Sequence, residues 1–501
     1  MFTHTDLVPK QNKINDLEQI DIQIARIERT IADLANQKTA LKKRRNSLIP
    51  ASSLPFELLT RIFEIACFPE EGEKDSVIKR RPPPIFLGTI CSAWRDVTLA
   101  APHLWAYIVV NFDIGKVAMS LEPSRVRFYL KRAGDYPLSI KIMNKLDWEG
   151  WGWPGDETDY VFEVFKVLLQ RGRFWRKLDG YLPSLSYKMR CDFPMLSTLI
   201  LRRPNDESLH ELSENTFLSA PLLRDVTLDG YDVGRGEYCV KLPYNQLESI
   251  TIINGGGIMC GQTLRLCFNL RHCQFFDLCN EHWGSSMIPS LDPIRHDNLQ
   301  SLNLSANDYL SFTTWLKNLI LPSLLHLSVS YSRLTPSLDI IPLVSRSSCN
   351  LKSLHLTCET LDKDIIQCLE VLPSLITLRL ARFGAQMTEA FLDALHPSIH
   401  KRSSSSSACL IPKLQHLEYI GPVDFSNASL TDFLSCRWRH ALVGKLPVFS
   451  CYIVFMTQFI DNDFAQLMSV LINTRNKILF GPTDIIILDS LKSEGMSLTF
   501  P

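Results

Sequence analysis

The apolar positions of this 501-residue chain change period as it proceeds. From Leu17 to Leu48 they alternate steps of three and four: Leu17, Ile20, Ile24, Ile27, Ile31, Leu34, Leu41 and Leu48. Written as heptads, position a holds Leu17, Ile24, Ile31, Lys38 and Arg45, and position d holds Ile20, Ile27, Leu34, Leu41 and Leu48. No Gly or Pro intervenes before Pro50, so residues 1–50 are expected to form one long helix with an apolar seam. That seam either pairs as a coiled coil, with a second copy or another partner, or folds back onto its own protein. The cationic a positions should weaken its C-terminal half.

Residues 51–106 carry two further stripes at helical spacing. Leu58, Leu59, Ile62 and Phe63 form the first, with Ser52 or Ser53 placed to cap and Pro55 suited to the first turn. Leu87, Ile90, Cys91 and Trp94 form the second. Two short helices make a bundle that buries little and tends to need a partner.

Residues 107–190 read as strands at Trp105–Val110, Leu138–Ile142 and Trp175–Leu182, with helices at Glu122–Arg132 and Phe162–Gln170. Between them, Asp147–Asp159 is a polar loop carrying Trp148, Trp151 and Trp153. Exposed tryptophans can anchor a partner, and packed ones simply fill a loop.

From Phe193 a repeat takes over: an apolar residue, two variable, an apolar, one variable, an apolar. It occurs at Leu196/Leu199/Leu201, Leu223/Val226/Leu228, Leu247/Ile250/Ile252, Leu270/Cys273/Phe275 and Leu299/Leu302/Leu304. It continues at Leu324/Leu327/Val329, Leu351/Leu354/Leu356, Leu375/Leu378/Leu380 and Leu414/Leu417/Tyr419. Successive starts lie 23 to 29 residues apart (223−196 is 27), except the last interval of 39, which holds the serine-rich stretch Lys401–Ser407. These triplets resemble those of the leucine-rich-repeat superfamily, whose period is roughly 20–29 residues. The resemblance implies an α/β solenoid, each turn placing one short strand, with intervening stretches such as Tyr309–Leu319 helical on the outer side. Residues 191–430 would form the array, bent into an arc. Residues 431–501 would cap its end with a helix around Phe433 and Trp438, a strand at Pro447–Phe455, a helix at Phe464–Leu471, a helix or strand at Ile485–Leu491 and a last strand at Met496–Phe500.

Residues 51–106 also resemble an F-box, the adaptor-binding module of cullin–RING ubiquitin ligases. The family pattern is a leading Leu-Pro, a Glu, a Leu-Leu-x-x-Ile-Phe helix, then Cys-x-x-Trp-Arg and a late Leu-Trp. Leu54, Pro55, Glu57, Leu58, Leu59, Ile62, Phe63, Cys91, Trp94, Arg95, Leu104 and Trp105 fill those places. Pro69–Pro84 is a longer, charged, Pro-rich insertion than a compact F-box carries. A short coiled coil ahead of Leu-Pro-x-Glu-Leu-Leu, then Trp-Arg-x-Val and Leu-Trp, is similar to the order in F-box-like proteins of mushroom-forming fungi. The resemblance implies a substrate receptor of an SCF-type ligase, docking a Skp-type adaptor, and through it cullin, by Leu54, Pro55, Leu58, Leu59, Ile62, Phe63 and Trp94. The repeat array would hold an unidentified target. The alternative is a scaffold outside any ligase, dimerised through the leading helix.

Composition narrows this picture. Hydrophobic content is 46%, charged content 21% and net charge +0, which favours a globular chain with no global attraction for nucleic acid or membrane. The fourteen cysteines follow no regular short spacing, and the first ten residues form no apolar signal core. The longest apolar run, around Leu446–Phe459, is broken by Ser450 and Gln458. A soluble protein of the cytoplasm or nucleus, with reduced thiols, is expected. Lys42–Arg45 and Lys79–Arg81 are basic clusters without interleaved aromatics.

Candidate chemistry is sparse. The middle variable residue of each repeat is Ile200, Thr227, Thr251, Gln274, Asn303, Ser328, His355, Arg379 and Glu418. Such a varied polar column suits target binding and implies no reaction. His272, His326 and His416 flank it, but separate repeats are poor metal-ligand spacing. Cys267, Cys273, Cys279 and His282 lack the tight C-x2-C pair of structural zinc. Gly255-Gly256-Gly257 lacks the Gly-Lys-Ser/Thr ending of a phosphate loop. No cofactor, metal or catalytic residue is expected.

Overall fold

The structure is a computed structural model. It describes residues 8–50, 54–69, 75–78, 80–112, 116–143, 155–180, 191–202, 217–230, 233, 240–255, 257–278, 293–306, 316–330, 336–382, 385–397, 410–442, 450–455 and 498–499. Two compact units divide the chain, residues 1–110 with 117–143 and residues 111–116 with 144–501.

The first unit opens with α1 (Val8–Ser47), a 40-residue helix. Every aliphatic seam residue from Leu17 to Leu48 is exposed, from 48% at Ile24 to 79% at Leu48. Among the described residues nothing covers this seam.

A helical cluster follows: α2 (Phe56–Cys67), α3 (Asp75–Ile78), α4 (Pro84–Ile90) and α5 (Ser92–Ala100). Pro55 occupies the α2 N-cap with no side-chain cap, and Ser52 and Ser53 lie outside the described residues. The stripe from Leu87 to Trp94 is two helices, not one. Cys91 breaks it with extended backbone (φ −154°, ψ 168°), and its Sγ accepts a hydrogen bond from the Trp94 amide at 3.4 Å, capping α5. The unit continues through β1 (Tyr107–Asn111), α6 (Lys116–Ala133) and β2 (Leu138–Met143). Trp105 precedes the strand, in a 3-10 turn at Pro102–Trp105. It is buried and donates its indole N–H to the Thr98 carbonyl at 2.7 Å.

The second unit begins with α7 (Gly155–Leu169) and β3 (Trp175–Gly180). Strands β4 (Thr198–Arg202), β5 (Asp225–Asp229), β6 (Ser249–Ile253) and β7 (His272–Leu278) follow, with α8 (Gly257–Leu266) between the last two. Then come β8 (Ile294–Arg295), β9 (Ser301–Ala306), β10 (Leu319–Ile320), β11 (His326–Ser330), β12 (Ser353–Cys358) and β13 (Thr377–Arg382). The last are β14 (Met387–Thr388), β15 (His416–Gly421), β16 (Val423–Asp424), β17 (Ser450–Phe455) and β18 (Leu498–Thr499).

Twelve of these strands form one parallel run, in the order β3-β4-β5-β6-β7-β9-β11-β12-β13-β15-β17-β18. Helices at Pro336–Ser347, Asp362–Glu370, Glu389–Leu395 and Asn427–Leu442 connect later strands. The expected helix at Tyr309–Leu319 lies largely outside the described residues, and Leu319–Ile320 instead pairs with Ile294–Arg295 as a short strand. At the C-terminal end, β17 continues the register of β15, with Leu417 opposite Cys451 and Tyr419 opposite Ile453. The expected helix at 464–471, the element at 485–491 and residues 147–154 of the expected loop at Asp147–Asp159 lie outside the described residues, and the last five residues of that loop are instead the first turn of α7.

Each apolar triplet is buried in the described strands, Leu199, Leu201, Val226, Leu228, Leu302, Leu304, Leu354 and Leu356 all at 0% exposure. Burying about 1.5–3 kcal/mol of side chain at each such position makes neighbouring strands the source of one another's stability. The entry to each strand also repeats. The first apolar residue bonds the carbonyl three residues back, as from Leu223 to Ala220 and from Leu375 to Leu372. The next two amides then share one carbonyl of the preceding strand, as Arg224 and Asp225 share Ser197. Parallel pairing at a constant offset follows, and with it the alignment of equivalent side chains.

Candidate interaction surfaces

The first surface is on the α2–α4–α5 cluster. Helix α2 is apolar on two faces. Leu59, Phe63 and Cys67, at i, i+4 and i+8, are buried. Leu58, Ile62 and Ile65, at i, i+4 and i+7, are 53%, 47% and 62% exposed. Among the expected adaptor contacts, Leu58, Pro55 and Ile62 are thus open, and Leu54 is half-buried. Leu59 and Phe63, also expected as contacts, are buried in the cluster's core. Trp94 is half-buried and lies edge-on to Phe63, centroids 5.0 Å apart. Ile85, Phe86 and Ile90 on α4 are also open. Sequence reading missed Ile65, Ile85 and Phe86, although the second apolar face of α2 is visible as a spacing of four then three.

Polar groups of the same stretch hold its geometry. Arg95 donates from Nε to the Gly88 carbonyl at 2.9 Å, joining α5 to α4. A Cβ at Gly88 would stand 3.1 Å from the Thr98 hydroxyl, so glycine allows the two helices their close approach. Arg81, from the Pro-rich insertion, donates to the carbonyl of Ile65 at 2.7 Å, satisfying an end group of α2. That guanidinium serves the helix end rather than a free basic patch. Lys79 lies outside the described residues.

The second surface is the polar column of the parallel sheet. Ile200 pairs with Thr227, Thr227 with Thr251, Thr251 with Gln274 and Gln274 with Asn303. Asn303 pairs with Ser328, Ser328 with His355, His355 with Arg379 and Arg379 with Glu418. All are half-buried except Arg379, which is exposed. Among the described residues, Thr227, Thr251, Gln274 and Asn303 make no side-chain hydrogen bond, leaving their donors and acceptors free. Four others pair sideways: Ser328 Oγ lies 3.3 Å from His355 Nδ1, and Arg379 Nε donates to Glu418 at 2.5 Å. Burial and the Arg379 charge lower the His355 pKa, with Glu418 opposing more weakly.

The other candidate chemistries are not assembled. Among the described residues no group of three His, Cys, Asp or Glu side chains is placed to hold a metal. Cys267 is buried and its thiol is pushed up to about 12 by desolvation. Cys273 is raised well above the usual thiol value by the same cause, then by Cys260 and Cys267. Both are protonated core residues, and Cys279 and His282 lie outside the described residues. Gly255 is a packing position, since a Cβ there would meet Met259 at 2.7 Å and Ile252 at 2.8 Å. No helix among the described residues is long and apolar enough to cross a membrane.

No protein-family model matches this chain, and no curated protein does. Among solved structures, a crystal structure of a Bacteroides fragilis protein from a structural genomics consortium aligns at 12% identity and a TM-score of 0.32. The alignment covers 62% of this chain and 86% of that one. A likeness this distant carries no argument about fold or activity.

Proposed function

We propose that this chain is the substrate-recognition subunit of an SCF-type ubiquitin ligase, as an F-box-like protein of the kind found in mushroom-forming fungi. The α2–α5 cluster is its F-box and docks a Skp-type adaptor, and the parallel strands are a leucine-rich-repeat solenoid that holds a target protein. The supporting observation is the open apolar face of Leu58, Ile62 and Ile65 beside a core built by Leu59 and Phe63. Contiguous apolar surface of this kind marks a protein contact. The chain itself does no covalent chemistry. It raises the effective concentration of target lysines near the charged conjugating enzyme, working in cytoplasm or nucleus. The half-exposed column from Thr227 to Glu418 is the proposed target face, and its free hydroxyls and amides suit a polar, uncharged stretch of the target.

Co-purification with the adaptor tests the reading. Leu58→Asp with Ile62→Asp should abolish binding and leave the far-ultraviolet spectrum and melting temperature unchanged. Normal adaptor binding by that variant removes the docking assignment. A scaffold outside any ligase is the second reading, favoured by the exposed seam of α1. Absence of adaptor binding by the intact chain selects it.

A further inference from the structure

The α1 seam is unlike the other apolar surfaces in carrying a strong charge gradient along its length. After Lys10 and Lys13 near its start, its acidic residues are Asp16, Glu18, Asp21, Glu28 and Asp33, balanced within that stretch only by Arg26 and Arg29. Beyond Leu34 the charged residues are Lys38, Lys42, Lys43, Arg44 and Arg45, all cationic and all exposed. The helix spans roughly 60 Å at 1.5 Å per residue, so its two ends are electrically separate.

We infer that α1 forms an antiparallel coiled coil with α1 of a second copy of this chain. In a parallel pair, a faces a and d faces d. Lys38 would then meet Lys38 and Arg45 would meet Arg45 in the core, and both basic ends would lie side by side. Asp16 at g would face Asp21 at e, a like-charge pair made twice. The antiparallel pair sets a against d. One alignment places Leu17 on Leu41, Ile24 on Leu34, Ile27 on Ile31 and Ile20 on Lys38. Between residues 17 and 41 six of its eight layers are wholly aliphatic, and the two others set the Lys38 stem on Ile20, beside the Asp21 carboxylate; at each end Arg45 falls opposite Lys13, against three like-charge layers (Lys13, Lys38 and Arg45) in the parallel pair. Asp16 then meets Arg44 at both ends, both being g positions. The one like-charge contact between flanking positions is Glu28 with its own copy, at the centre. Ion pairs at such rims contribute modestly, but like charges in the core of the parallel form are costly, so orientation is decided by repulsion avoided. The inference rests on α1 alone and is independent of adaptor docking.

The test uses the full chain. Sedimentation equilibrium should show a dimer at micromolar concentration, and Ile24→Asp with Ile31→Asp should make it a monomer with an unchanged circular dichroism spectrum outside the helical loss. For orientation, a photocrosslinking benzophenone amino acid replaces Ile20, and labelled and unlabelled chains are mixed so that inter-chain products carry both isotopes. Crosslinks to the peptide around Lys38 are expected, and crosslinks to the peptide around residue 20 overturn the inference. Asp16→Lys should weaken association about tenfold, and added Arg44→Glu should restore it. A wild-type monomer, or no restoration, also overturns it.

Discussion

The indole of Trp94 meets the ring of Phe63 edge to face, with centroids 5.0 Å apart and planes at 61°. One residue comes from α5 and the other from α2, so this contact joins the two ends of the α2–α5 cluster across the Pro-rich insertion. Edge-to-face pairs add about 0.5–1.5 kcal/mol beyond burial. Trp94 therefore supports the surface from behind, whatever it contributes at its rim.

Phe63→Ala should cost about 3–5 kcal/mol by opening a cavity under the cluster. Leu58→Asp, at a half-exposed site, should change stability by no more than about 0.5 kcal/mol. Urea denaturation of the two variants checks the contrast. Equal losses would mean that Leu58 belongs to the core.

The His355 imidazole should make the sheet acid-sensitive. Its pKa is lowered in the folded chain by burial, then by Arg379. The unfolded chain binds that proton more readily, so stability is complete above about pH 6.5 and falls as pH drops from there towards the lower folded pKa. Urea midpoints at pH 7 and pH 5 should differ, and His355→Gln should shrink the difference.

Arg382 and Asp362 form a buried ion pair, at 0% and 8% side-chain exposure. Asp362 also accepts the Thr388 amide at 2.8 Å and the Thr388 hydroxyl at 2.5 Å. Asp362→Ala leaves a buried guanidinium uncompensated and should cost about 3–5 kcal/mol. Changing both residues to apolar ones, as Asp362→Leu with Arg382→Met, should cost less than the single change, which denaturant titration will show.

Thiol reactivity should sort the cysteines by burial. Cys91, Cys191, Cys349 and Cys436 are half-buried, and Cys67, Cys260, Cys267, Cys273, Cys358, Cys368 and Cys451 are buried. Mass spectrometry after brief alkylation of the native chain should find label on the first group and little on the second until denaturant is added. Early labelling of Cys273 would contradict its place in the core.

Much of the sheet was legible because parallel strands repeat a local rule. Leu327 and Leu354 are inward for the same reason, and constant offset then aligns Ser328 with His355 and His355 with Arg379. The break at Cys91 was not legible, since Leu87 to Trp94 keeps helical spacing across it. Extended backbone at one residue leaves no mark on an apolar period. Buried charges such as Arg382 and Arg437 were equally invisible, because their acceptors come from distant residues. Arg437 reaches the carbonyls of Leu395, Ile411 and Leu414.

Local spacing alone determined where the long helix runs, which strand residues face inward and which column is left polar, because periods of 3.6 and 2 are properties of the backbone. Only the tertiary structure decided which apolar residues are used up. Leu58 and Leu59 are neighbours of equal hydrophobicity, yet one stays open and the other is 3% exposed, since burial depends on what α4 and α5 bring against each face. The seam of α1 was readable from its heptads, and its exposure was not, because a heptad specifies a sticky face without specifying what covers it.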